Sequence, residues 1–315
     1  MNLLVCIGGE TYSKGTVQLA ADFARRLNAD LSILYVGPQI SQLHQKEVQI
    51  AKEKLGQWMI ETPEMKVLNS ALEILRQMDF LKVDAQGELN IKHGLKAGIS
   101  GAFEFHLYGS GGQNVRFRYR AGEIVDNIRK EAEQLHYDLV FVGASQKRRL
   151  VHRILQFVPT SSVIVKWEAT NPTKFLVCVK KSQSSRAAVW FTIQIARRLR
   201  MPVQFLAIDR RSAASTRLTE LTERYMKICR RYKIPCSSMV RTGGVQEVIE
   251  QVATPEHLVV LGSTRTNELI HYLFGSLPVR VSQSVNSSVL VVKEEEEARV
   301  RQREDLENSP PTLAR

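Results

Sequence analysis

The chain aligns on itself. LLVCIGGETYSKGTVQLAADFARRLNADLSILYV at 3–36 matches FLVCVKKSQSSRAAVWFTIQIARRLRMPVQFLAI at 175–208 without a gap. Two further pairs follow in the same order: YDLVFVGAS (137–145) with EHLVVLGST (256–264), and TSSVIVK (160–166) with NSSVLVVK (286–293). Three matched blocks in one order argue for a duplicated domain, so whatever the first copy folds into, the second must fold into as well. A length of 315 residues has room for two ordinary domains.

Each block has a structural reading. LLVCI, LSILYV, DLVFVG and SVIVK are short, largely apolar and mostly rich in Val and Ile, as strands covered on both faces are. Between the first two, Val17, Ala20, Ala21, Ala24 and Leu27 recur at helical spacing, and Arg25 and Arg26 fall in the last turn. Strand, helix and strand in alternation predict right-handed crossovers in a parallel sheet with helices on both sides. In the second copy the pattern predicts strand 175–179, helix 186–200, strand 203–208, helix 215–232, a strand near 237–241, helix 245–253, strand 257–262 and strand 288–293.

The expected boundaries follow. The polar stretch EATNPTK at 168–174 separates a first domain, 1–168, from a second, 174–293. The first copy carries an insert of about 62–114. Alternation in FEFHLYGSGGQNVRFRYR (103–120) predicts a β-hairpin, with Phe103, Phe105, Phe117 and Tyr119 on its buried face. Arg116, Arg118 and Arg120 share the other face, expected to be the outer side of an exposed strand. The last 22 residues, 294–315, hold seven acids and two prolines, which predicts a frayed helix and then a disordered acidic tail.

Forty-four basic residues against 32 acidic ones leave a net charge of +12, which favours anionic partners without choosing among them. Cys6, Cys178, Cys229 and Cys236 have no metal-knuckle spacing and read as buried or half-buried thiols in a reducing compartment. The start, MNLLVCIGGE, lacks the basic region of a signal peptide, and no window is apolar enough for a membrane span. The expected location is the cytoplasm. The seven histidines are scattered, no Gly-x-Ser-x-Gly elbow occurs, and nothing marks a general base, so the chain reads as non-catalytic.

Two strand–helix repeats, each ending in strand, glycine loop, helix and SSV(I/L)V, resemble the universal stress protein family, here as a tandem pair. The resemblance covers nearly the whole chain except the insert and the tail. It implies two doubly wound α/β domains, each a mostly parallel five-stranded sheet in the order 3-2-1-4-5. It also implies a regulatory, stress-response role. In the family, last strands of two such domains commonly pair. Strands 162–166 and 288–293 are the candidates here, giving a pseudo-dimer within one chain or a further homodimer.

ATP-binding members use a loop of the form Gly-x2-Gly-x9-Gly-Ser/Thr after the fourth strand, with an Asp at the end of the first. GSTRTNELIHYLFGS at 262–276 matches that loop in length: Gly262 fits the first glycine, and Gly275 and Ser276 fit the close. Arg265 replaces the middle glycine, Lys180 stands at the Asp position and Pro278 follows the loop. The resemblance implies a nucleotide site in the second copy at Lys180, Ile208, Gly262, Ser263, Arg265, Gly275, Ser276, Ser287, Ser288 and Val289. Its ligand would be ATP, with magnesium unspecified, or another anion drawn by Lys180, Lys181 and Arg265. The alternative is a degenerate loop kept for packing, since a side chain at 265 restricts φ relative to glycine.

In the first copy Gly143 survives, but Gly8 stands at the Asp position and the closing Gly-Ser is gone. Gly143 to Ser161 is 18 residues, against 25 from Gly262 to Ser287. That loop is basic instead, with Lys147, Arg148, Arg149 and Arg153, and reads as a degenerate site. A second reading of the whole chain is an adaptor without a small ligand. It would act through the insert and 147–153 on a protein, membrane or nucleic-acid partner.

Overall fold

The computed structural model describes residues 1–8, 10–37, 63–97, 102–144, 148–166, 171–209, 216–263 and 277–294. Contacts divide the chain into two compact units that meet in sequence at Asn171 and Pro172.

The first unit runs β1 (Asn2–Ile7), α1 (Glu10–Leu27), β2 (Asp30–Gly37), α2 (Pro63–Gln77), β3 (Ile91–Ala97), β4 (Phe103–Tyr108), β5 (Asn114–Ala121), α3 (Ile124–Leu135), β6 (Leu139–Gly143), α4 (Arg148–Phe157) and β7 (Ser162–Val165). Its strands lie in the order β7-β6-β1-β2-β5-β4-β3. The links β1–β2, β1–β6, β2–β5 and β6–β7 are parallel, as expected where helices carry the chain back between strands. Leu3, Leu4 and Val5 are fully buried, so β1 is covered on both faces. Val17, Ala20, Ala21, Ala24 and Leu27 form the buried stripe of α1, and Arg25 and Arg26 are exposed in its last turn.

The expected hairpin is present, β4 and β5 pairing antiparallel with Phe103 level with Tyr119, and it is built into the main sheet. Its second arm, β5, is the third parallel strand, with Leu31 level with Val115 and Tyr35 with Tyr119. Strands β4 and β3 continue the same sheet antiparallel, so this sheet has seven strands rather than five. Phe103, Phe105, Phe117 and Tyr119 are buried as expected, stacked in cross-strand pairs at 5.1 Å and 4.7 Å between ring centroids. Helix α2 buries Leu68, Ala71, Leu72, Ile74 and Leu75, a helical stripe that the reading of the insert had passed over.

The arginine stripe is corrected by the structure. Arg118 and Arg120 do not face solvent as expected, because Glu131 of α3 reaches both. Arg118 and Arg120 both reach Glu131 of α3, Arg120 through Nε at 2.8 Å, and both reach Glu104 of β4, Arg118 at 2.8 Å and Arg120 at 3.6 Å. The Glu131 side chain is 5% exposed and that of Arg118 is 11%. Burial alone would raise the Glu104 carboxyl. Arg118, His106 and Arg120 outweigh it and hold the group below the ordinary carboxylate range.

The second unit runs β8 (Lys174–Val179), α5 (Gln183–Leu199), β9 (Val203–Asp209), α6 (Thr216–Arg231), β10 (Cys236–Thr242), α7 (Val245–Val252), β11 (His257–Ser263), α8 (Leu277–Ser284) and β12 (Ser288–Lys293). The order β10-β9-β8-β11-β12 is the expected 3-2-1-4-5, and β8–β9, β9–β10 and β8–β11 are parallel. Helices α5 and α6 each hand over to the next strand through a residue in the left-handed region, Arg200 (φ 51°) and Lys233 (φ 56°). The four cysteines are free thiols, Cys229 buried and the others half-buried. Burial pushes the Cys178 thiol up to about 12. Residues 295–315, where the acidic tail was expected, lie outside the described residues.

At the start of β11, His257 is 4% exposed. Its Nδ1 faces the Thr254 backbone N–H at 3.0 Å and the Thr254 hydroxyl at 2.9 Å. An N–H donor on Nδ1 requires the proton on Nε2, which then donates to Gln204 Oε1 at 3.3 Å. Burial, followed by the Lys174 ammonium, lowers the imidazole pKa against the opposing pull of Glu256 and Thr254.

Two outcomes are expected. Glu131→Leu leaves two half-buried guanidinium groups with Glu104 alone and should cost the first unit about 3 kcal/mol, read as a fall in its thermal midpoint. An Arg118→Met, Arg120→Met, Glu104→Leu, Glu131→Leu variant, which removes both signs of charge, should lose much less. For His257 the folded unit resists a proton that the unfolded chain accepts below about pH 6.5. The second unit should therefore lose stability as pH falls from neutrality through that value, and His257→Gln should flatten the midpoint over the same window.

Candidate functional site at the carboxyl edge of the second unit

Parallel strands send their carboxyl ends to one edge of a sheet, and ligands of open α/β sheets sit where the strand order reverses at that edge. In the second unit that point lies between β8 and β11. Val177 pairs with Val260, and Val179 pairs with Ala207, so continuing the register sets Lys180 level with Ser263 and Ile208. These three residues and Gly262 therefore lie together at that edge. Lys180 and Lys181 are exposed, and Ile208, Gly262 and Ser263 are half-buried.

The turn after β8 belongs to the amino end of α5. Ser182 is the N-cap, and its hydroxyl accepts from the Ser185 N–H at 3.2 Å. The Ser185 hydroxyl accepts from the Lys180 N–H at 3.0 Å, and the Ser182 and Ser184 hydroxyls lie 3.2 Å apart. The three serines thus order the turn and serve part of the helix end. Sequence reasoning missed them, although Ser182 three residues before Ser185 in KKSQSS is a helix-start signal.

Gly262 is fixed by this same turn. A Cβ added to it would stand 2.1 Å from the Ser184 carbonyl oxygen and 2.9 Å from the Ser185 nitrogen. The end of β11 touches the backbone of α5 so closely that no side chain fits there. The glycine that matches the family loop is thus demanded by packing alone.

Arg265, Gly275 and Ser276 lie at 264–276, outside the described residues. Ser287, Ser288 and Val289 are fully buried at the entry to β12. They lie beyond the eight residues of α8, about 12 Å of helix from where the loop ends.

In the first unit the matching edge differs. A Cβ at Gly8, where the second copy has Lys180, would meet nothing within 4 Å. Arg153 of α4 holds Glu123 at 2.7 Å, and the same carboxylate accepts the Asp126 N–H at 2.8 Å as the cap of α3. Arg149 is exposed, and Lys147 lies outside the described residues. Among the described residues no three His, Cys, Asp or Glu side chains are grouped to hold a metal, and no helix is long and apolar enough to cross a membrane.

Comparison with known proteins bears on this arrangement. No curated protein sequence matches the chain. A universal stress protein from Archaeoglobus fulgidus DSM 4304 superposes with a TM-score of 0.60 at 15% identity, over 93% of this chain and 96% of that one. A functionally unknown protein from Pseudomonas aeruginosa PAO1 gives 0.56 at 14% identity, over 96% of both chains. The cytoplasmic domain of a prokaryotic cation chloride cotransporter gives 0.53 at 10% identity, over 96% of this chain and 98% of that domain. At such identities these likenesses speak of the fold. The universal stress protein family itself matches residues 1–165 and 172–293, one segment for each copy seen in the sequence. With both copies matched, the chain belongs to the universal stress protein family.

Proposed function

We propose that the protein is a non-catalytic regulatory binding protein of the stress-response type, whose second unit holds an anion, with an adenine nucleotide as the ligand the family loop suggests. The observation that carries this reading is the convergence of Lys180, Lys181, Gly262 and Ser263 at the point where the strand order reverses. Two exposed ammonium groups stand there beside a helix amino end, where the peptide dipoles favour negative charge. The departure from the family pattern has a chemical consequence. An Asp at the end of the first strand would accept hydrogen bonds from a sugar, whereas Lys180 donates and favours a phosphate or carboxylate. The ligand is read as an anion first and a nucleoside second. Its effect would be a ligand-linked change read by a partner protein.

The adaptor reading through the insert is weakened by one observation. Arg118 and Arg120 are taken up by Glu104 and Glu131, so the insert offers less free positive charge than its sequence suggests.

The test is thermal unfolding with ATP, ADP, AMP and inorganic phosphate, each with and without magnesium. The second unit is expected to gain about 2.7 kcal/mol of stability at a hundredfold excess over Kd, read as a rise in its midpoint. Gly275→Asp, which adds a negative charge at the loop close, should abolish it. No shift with any of the four would overturn the reading. Gly262→Ala is expected to act differently: it costs about 1–3 kcal/mol of stability, read as a lower midpoint with or without ligand, because the new methyl collides with the Ser184 carbonyl.

A further inference from the structure

The net charge of the chain sits in the second copy. Residues 172–293 hold 19 basic and 7 acidic side chains, a surplus of +12 that equals the whole chain's. The surplus concentrates away from the carboxyl edge. Arg197, Arg198 and Arg200 lie at the end of α5, and Arg224, Lys227, Arg230, Arg231 and Lys233 run along the second half of α6 and just past it. Neither stretch, 197–203 or 224–234, contains an acid. All eight side chains are exposed.

The fold puts these two stretches side by side. Helix α5 delivers the chain to β9 and α6 to β10, and Val203 pairs with Cys236 in neighbouring parallel strands. The two turns are joined by the Val203 N–H donating to the Pro235 carbonyl at 2.9 Å. The guanidinium of Arg197 lies 5.9 Å from the centre of the Tyr232 ring, which ties the helix ends together. Along α6, Arg224, Lys227 and Arg231 recur at three and four residues, so they form a row with neighbours about 5–6 Å apart. Glu256, on the same amino edge of the sheet, is paired with Lys174 at 3.0 Å.

Helix ends of this polarity favour cations, but not in this number. Two helix carboxyl ends present roughly half a negative charge each, about one in total against eight positive side chains. Arg198 has an interaction of its own and Glu220 and Glu223 on α6 offset part of the rest; the remaining surplus draws anions from solution. Six of the eight are arginines, whose planar fork meets phosphate oxygens in pairs. Tyr232 is the one large apolar side chain exposed on this face among the described residues, and Arg197 lies beside its ring. The face therefore has little to insert into a bilayer. A linear array of phosphates fits it better than a lipid surface.

We infer that the amino edge of the second unit, formed by Arg197, Arg198 and Arg200 of α5 with Arg224, Lys227, Arg230, Arg231 and Lys233 of α6, is a sequence-independent binding surface for the phosphate backbone of nucleic acid. This surface is distinct from the proposed anion site, which lies at the opposite edge of the same sheet.

Fluorescence anisotropy of the full-length protein with a short labelled single-stranded DNA tests it. Binding is expected to weaken steeply between about 50 and 200 mM salt, with a slope of log K against log salt near −3, the value for some four or five neutralised phosphates. An Arg224→Gln, Lys227→Gln, Arg230→Gln, Arg231→Gln variant should lose at least tenfold in affinity and flatten that slope. Lysine at the three arginine positions should keep the slope, and Arg149→Gln with Arg153→Gln in the first unit should leave binding unchanged. A circular dichroism spectrum checks that each variant is folded. If the four-fold variant fails to fold, Arg231→Gln alone should reduce the slope by about 0.7. Absence of binding at low salt, affinity indifferent to the α6 variants, or binding to anionic phospholipid vesicles but not to the oligonucleotide would each overturn the inference.

Discussion

A parallel strand cannot be reached from its neighbour by a tight turn. The chain must run back the full length of the sheet, and a helix is the crossover that satisfies its own backbone on the way. This constraint orders the second unit. Every helix between parallel strands starts at the carboxyl edge and finishes at the amino edge. One edge therefore collects helix starts, and with them Ser182, Lys180 and Gly262. The other collects helix ends and the basic residues that follow them. The two faces of chemistry proposed for this unit are both consequences of strand polarity.

The first unit obeys the same constraint but spends its insert differently. Strands β3 and β4 widen the sheet, and Glu131 of α3 then reaches two of the arginines that the alternation of β5 had placed on one face. Two carboxylates, Glu104 and Glu131, make the partial burial of Arg118 and Arg120 tolerable. Such an arrangement is weak as a source of stability and strong as a condition: remove one partner and the rest is left charged and dry. It ties β4, β5 and α3 to a single arrangement. In the second unit His257, at the foot of β11, is a buried imidazole whose pKa burial and Lys174 lower.

Much of the fold was legible in the sequence because the repeat and the apolar strands carry it. Strand 288–293 and the helix around 186–200 are found where periodicity put them, within a few residues. The insert was harder. Alternation in 103–120 showed which side chains share a face, yet it could not show that a helix carboxylate reaches Arg118 and Arg120. That information resides in Glu131, 11 residues beyond Arg120 and in another element. The site was legible as a frame. Gly262 could be aligned with a phosphate loop, but its contact with the Ser184 carbonyl is made by a residue 78 positions earlier. Only the three-dimensional approach of β11 to α5 shows that packing alone would preserve it.

Arg200 and Lys233 stand in the left-handed region, where glycine is the usual occupant and a side chain costs roughly 1–2 kcal/mol. Both belong to the basic edge. At these two residues the needs of the backbone and of the surface pull apart: glycine would relax the turn and erase a charge. A selection for thermal robustness alone would drift towards glycine there, whereas a selection that includes a phosphate-bearing partner would hold the cations in place.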